Sequence, residues 1–92
     1  MAYGLRFHPR VEADLKKLSP ADQRRVKRAF DERIAVDPGR FGEPLAGQLR
    51  GYLKIRIGDY RIVFRVEAEI AWVAGVFHRR DAYARAERRL TD

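Results

Sequence analysis

Between Tyr52 and Arg65, apolar and polar side chains alternate on either side of Gly58-Asp59. Glycine supplies the positive φ that a tight turn needs and aspartate tolerates it, so the pattern predicts a β-hairpin. With Gly58 and Asp59 at its centre, Ile57 pairs with Tyr60, Arg56 with Arg61, Ile55 with Ile62, Lys54 with Val63, Leu53 with Phe64 and Tyr52 with Arg65. Successive side chains on a strand point to opposite faces. One face then carries Leu53, Ile55, Ile57, Tyr60, Ile62 and Phe64 and belongs to a core. The other carries Tyr52, Lys54, Arg56, Arg61, Val63 and Arg65 and is basic.

The remaining pattern surrounds this hairpin with helices and further strands. Residues 69–78 are apolar on both faces, the mark of a central strand, and residues 3–8 read as a short strand. Val11, Leu15 and Leu18 make one helical stripe behind Pro9, and Val26, Phe30 and Ile34 make another. Ser19-Pro20-Ala21-Asp22 is a helix start, with Ser19 as N-cap; Asp37-Pro38-Gly39 is a stop. Arg24, Arg25, Lys27 and Arg28 occupy the polar side of the second helix. Residues 40–51 form a Gly-rich connection anchored by Leu45 and Leu49. Asp81 starts a last helix whose apolar side, Tyr83, Ala86 and Leu90, is thin. The order β-α-α-β-β-β-α predicts a single α+β domain over residues 1–92. Its small, mostly antiparallel four-stranded sheet carries an N-terminal helical hairpin on one face and a short C-terminal helix, with the other face open and basic.

Composition sharpens this picture. The chain has 92 residues, a formal net charge of +7 and no cysteine. Disulfides and thiolate metal sites are excluded, and the charge suits an anionic partner. The first residues lack the apolar core of a signal peptide, and the longest apolar run, residues 70–77, is too short for a bilayer. A cytoplasmic protein without membrane, metal or cofactor is expected. Arg56 opposite Arg61 stands out against this background. Like charges about 5 Å apart repel by roughly 1–3 kcal/mol. A polyanion bound on this face would turn the repulsion into attraction.

No Gly-rich phosphate loop, nucleophile elbow or metal-ligand cluster appears, and His8 and His78 are not at metal spacing. What is present is a concentration of Lys, Arg and Tyr at strand ends. Such a set suits RNA cleavage by the neighbouring 2′-hydroxyl. That reaction needs a base, cations for the phosphorane and an acid for the leaving oxygen. Clustered arginines bind phosphate oxygens in pairs, and a lysine crowded by cations is favoured in its neutral, basic form.

Three stretches, "FHPRVEADLKKL" at 7–18, "LAGQLRGYLKIRIGDYRIVFRV" at 45–66 and "HRRDAY" at 78–83, resemble the RelE/ParE superfamily of type II toxins. Within it the chain is most similar to the RelE-like and StbE-like messenger-RNA interferases. The resemblance implies a ribosome-dependent endoribonuclease that cuts messenger RNA in the A site, and a cognate antitoxin partner. It places Lys54 and Arg56 as the catalytic basic pair of the first hairpin strand, with Lys54 as the base, Arg61 and Arg79 as transition-state cations, and Tyr83 as the residue that stacks on or orients RNA. A YoeB-like branch would use Glu43 as base and His78 as acid. Tyr52, Arg65, Arg50 and Arg80 are the further RNA-binding expectations. Arg56 stands where RelE has lysine, and Phe77 precedes His78 where many relatives have glycine. The other readings are a ParE-like inhibitor of DNA gyrase and a non-catalytic RNA-binding module.

Overall fold

The computed structural model describes residues 2–91. Its elements run β1 (Gly4–Phe7), α1 (Val11–Lys16), α2 (Pro20–Ala29), α3 (Pro38–Phe41), β2 (Glu43–Pro44), β3 (Leu53–Ile57), β4 (Tyr60–Glu67), β5 (Ile70–His78) and α4 (Ala82–Thr91). The α+β class is as expected, but the sheet has five strands, in the order β1-β5-β4-β3-β2. The extra strand is the two-residue β2, which pairs Glu43 with Lys54 and Pro44 with Leu53. β1 pairs with β5 in parallel, and the other pairings are antiparallel.

Local chemistry sets the helix ends. The Ser19 hydroxyl accepts the Asp22 N–H at 3.1 Å, with Pro20 in the first turn. A π-helical turn, Phe30–Ile34, extends α2 and keeps Phe30 and Ile34 buried. Asp37-Pro38 does more than end this helix. Asp37 accepts the Arg40 N–H at 3.3 Å and so starts α3.

The main core lies between α1, α2 and one sheet face. It gathers Val26, Phe30 and Ile34 against Ile55, Ile62, Phe64 and Val73. The opposite face is not open, which corrects the expectation. α4 lies on it, and Ala82 and Ala86 bury against Val63, Ala74, Phe77 and Leu49. The thin apolar side of α4 suffices because its small residues let the helix come close. Tyr83 is left at the surface, and Leu90 packs at the margin of this second cluster.

An ion pair secures α4 as well. Asp14 of α1 is only 4 % exposed, and it receives Arg89 of α4 through two bonds, Nη1 to Oδ2 at 2.6 Å and Nη2 to Oδ1 at 2.9 Å. Oδ2 also accepts the Val76 N–H at 3.0 Å, and Arg89 Nη1 donates to the Ala74 carbonyl at 3.2 Å. β1 has run out at this point, so the pair satisfies the edge of β5 that β1 no longer covers. The guanidinium rests 4.7 Å from the centre of the Phe77 ring. Gly75 makes room for both, since a Cβ there would overlap Phe77 and Arg89.

Candidate active site

The hairpin forms in the expected register, with Arg56 opposite Arg61 and Lys54 opposite Val63. Gly58 has φ +58°, which explains glycine at the turn. On one flank of β3, β2 sets Glu43 beside Lys54. Above the face, α4 carries Tyr83 over the lysine, its ring centre 5.4 Å from Lys54 Nζ. Lys54 thus has Glu43 as its cross-strand neighbour, an aromatic ring above it and Arg56 next on the same strand face.

The facing arginines are held apart by other partners. Arg56 turns outward, its Nε 4.0 Å from Glu43 Oε1. Arg61 folds back on the turn and donates from Nη1 to the Gly58 carbonyl at 3.2 Å and the Tyr60 carbonyl at 3.0 Å. Arg79 sits at the same end of the hairpin. Its backbone N–H donates to the Asp59 carbonyl at 2.7 Å, and its Nε lies 3.7 Å from Asp59 Oδ1. Exposed pairs of this kind contribute only about 0–1 kcal/mol each, so a phosphate can replace them readily. Among the described residues, no three His, Asp or Glu side chains come together as a metal site.

Lys54, Arg56, Arg61, Arg79, Tyr83 and Glu43 therefore share one end of one face. Tyr52 and Arg65 lie further from the turn on that face and line a common hollow. A hydrogen bond from Arg65 Nη1 to Glu67 at 2.6 Å holds the guanidinium still more firmly protonated, against the smaller opposing effect of burial. Arg50 is exposed just ahead of β3. His78 is not brought to the site. β5 carries one unpaired residue, Ala74, since Gly75 faces Val63 while Val73 faces Phe64. This bulge shifts the alternation. Phe77 falls on the α4 side, and His78 pairs with Tyr60 on the α2 side, their rings edge to face at 5.5 Å. Arg80, exposed beyond it, gives its backbone N–H to His78 Nδ1 at 3.1 Å. The site depends on two residues whose sequence carried no signal, Asp14 and Arg89, because they fix the helix that bears Tyr83.

A basic hairpin roofed by a terminal helix, with a helical hairpin on the reverse of the sheet, is the architecture of RelE-like toxins. The chain belongs to the RelE/ParE superfamily of type II toxins: residues 5–83 match the family model described as ParE toxin of the type II toxin-antitoxin system, parDE. It is similar to toxin RelG of Mycobacterium tuberculosis, at 34% identity over 87 residues, covering 92% of this chain and all of RelG. Its fold is similar to the RelBE2 toxin–antitoxin complex of Mycobacterium tuberculosis, with TM-score 0.78 and 29% identity over 85% of this chain and 99% of the other. It is also similar to a mutant E. coli toxin RelE in the free state, with TM-score 0.73 and 25% identity over 97% and 98% of the two chains.

Proposed function

We propose that this toxin is a messenger-RNA interferase, a ribosome-dependent endoribonuclease that cleaves in the A site by 2′-hydroxyl attack without a metal. The observation that carries the reading is Lys54 beneath Tyr83, beside the facing pair Arg56 and Arg61. Lys54 takes the 2′-hydroxyl proton, the 2′-oxygen bonds to the adjacent phosphorus, and the bond from phosphorus to the 5′-oxygen breaks. Arg56 and Arg61 leave Glu43 and the turn carbonyls to neutralise the phosphorane. Arg79 stabilises the departing 5′-oxygen as that atom takes a proton from water. The products are a 2′,3′-cyclic phosphate and a 5′-hydroxyl. Tyr83 orients the nucleotide, and Glu43, in register with Lys54, is the second base within the site. The solved RelBE complex supports a cognate antitoxin as the silencing partner, and the net charge of +7 suits both it and RNA. Among the described residues no helix is long and apolar enough to cross a membrane, and a cytoplasmic setting follows from the ribosomal target.

The match to the ParE family model favours one second reading, inhibition of DNA gyrase on the same scaffold. Primer extension on a reporter messenger, with and without programmed ribosomes, separates the two. The interferase reading expects cuts within the A-site codon only when ribosomes are present. Arg61→Ala should lower them by on the order of a hundred- to a thousandfold. No cuts in either lane, with inhibition in a supercoiling assay, would overturn it in favour of gyrase.

A further inference from the structure

Past the C-terminal end of α4, the sheet face that bears Lys54 opens into a hollow of about 280 Å³. Phe7, Tyr52, Arg65, Trp72, Ala74 and Leu90 form most of its wall. The row is set by register, since Trp72 pairs with Arg6 of β1 on one side and with Arg65 of β4 on the other. The Arg65 guanidinium lies 5.5 Å from the centre of the indole, and Glu67 holds it there. Trp72 is 38 % exposed, which leaves part of the indole open to a ligand.

We propose that this hollow is a nucleobase-stacking site that extends the RNA track beyond the cleaved phosphate. The proposal rests on the RNA-cleavage reading and names a subsite for that substrate. Three observations carry it. The hollow, about 280 Å³ and walled mainly by apolar side chains, has room for one planar heterocycle. Arg65 lines it and Arg6 stands on the other side of Trp72, matching the charge of a nucleotide backbone. It is continuous with the basic hairpin, because Tyr52 in its wall and Lys54 in the site stand two residues apart on one strand face. By strand geometry Trp72 lies on the order of 12 Å from Lys54, a distance a few nucleotides span. An aromatic ring with an adjacent arginine binds bases without sequence preference, so the site adds grip rather than codon choice.

The chain has one tryptophan, so fluorescence excited at the red edge of the absorption band, beyond the four tyrosines, reports on this hollow. A 2′-O-methyl RNA hexamer, which resists 2′-hydroxyl attack, is expected to quench it saturably. An abasic backbone of equal length and charge is not. Trp72→Leu should weaken binding of the same hexamer, labelled at its end, by about tenfold, and Trp72→Phe should restore most of it. Thermal melts confirm that both variants fold. Equal quenching by the abasic backbone would overturn the proposal, as would a saturable response to an acidic amphipathic peptide but none to RNA. Base-dependent quenching by a toxin that makes no ribosomal cuts would uphold the stacking site while the cleavage reading fails.

Discussion

Arg89→Met tests what holds the roof over the site. The substitution removes both bonds to Asp14 and the bond to the Ala74 carbonyl, while a chain of similar length still covers Phe77. It strands a carboxylate that is 4 % exposed, with the Val76 N–H as its remaining donor. Breaking a buried pair from one side costs about 3–5 kcal/mol. A domain of this size has roughly 5–14 kcal/mol in total, and each kcal/mol moves its midpoint by about 4–8 °C. The expected fall in Tm is roughly 12–40 °C. Asp14→Asn supplies the second arm. In the wild type it weakens the pair and destabilises. In the Arg89→Met background it removes the stranded charge, keeps an acceptor for Val76, and should raise stability. Urea denaturation followed by circular dichroism on the four proteins reads this change of sign. An Arg89→Met loss below about 1 kcal/mol, with Asp14→Asn having the same effect in both backgrounds, would refute the reasoning.

Lys54→Ala should flatten the rising limb of the pH–rate profile for cleavage, since a lysine acts as a base only when deprotonated; an unchanged profile would remove Lys54 from that role. Ile62→Asp places a carboxylate at a fully buried core position and should leave no cooperative melt. His8 is held below its ordinary value of 6.5 by burial and then by the Arg89 and Arg10 charges, with Asp14 opposing. Its Nδ1 also accepts the Arg10 N–H at 3.1 Å, a bond lost when that nitrogen is protonated. The unfolded chain therefore binds the extra proton first, and stability falls as pH drops through about 6.5 towards the folded value. In His8→Gln, urea midpoints between pH 8 and 5 should lose that part of the slope; an identical slope would mean His8 does not contribute it.

The hairpin was readable to the residue because a turn dipeptide and strict alternation both fix its register, and with it the row of Lys54, Arg56 and Arg61. The helical hairpin was readable from its stripes and from Ser19. Other features left no such trace. A two-residue strand holding a proline, β2, has no period to detect. Ala82 and Ala86 bury little area, so the docking of α4 depends on fit rather than on hydrophobicity. Arg89 sits in a run of charges and Asp14 among the polar residues of a short helix; only the fold shows that they meet. In β5, apolar residues on both faces leave the parity open, and Ala74 decides it.

That one surplus residue makes the bulge itself the sensitive feature of β5. Many side chains fit at position 74 if they are small, because the bulge needs only a residue to occupy it. Deleting Ala74 would merely close the bulge, since Val73 and Gly75 already face the adjacent residues Phe64 and Val63; closing it with the residue kept, so that Ala74 faced Val63, would instead turn every later position over. Phe77 would leave Arg89 for the α2 side, and His78 would swing toward the lysine and arginines it now avoids. What keeps the imidazole off the face that bears Lys54 is therefore the bulge and not the number of residues in β5.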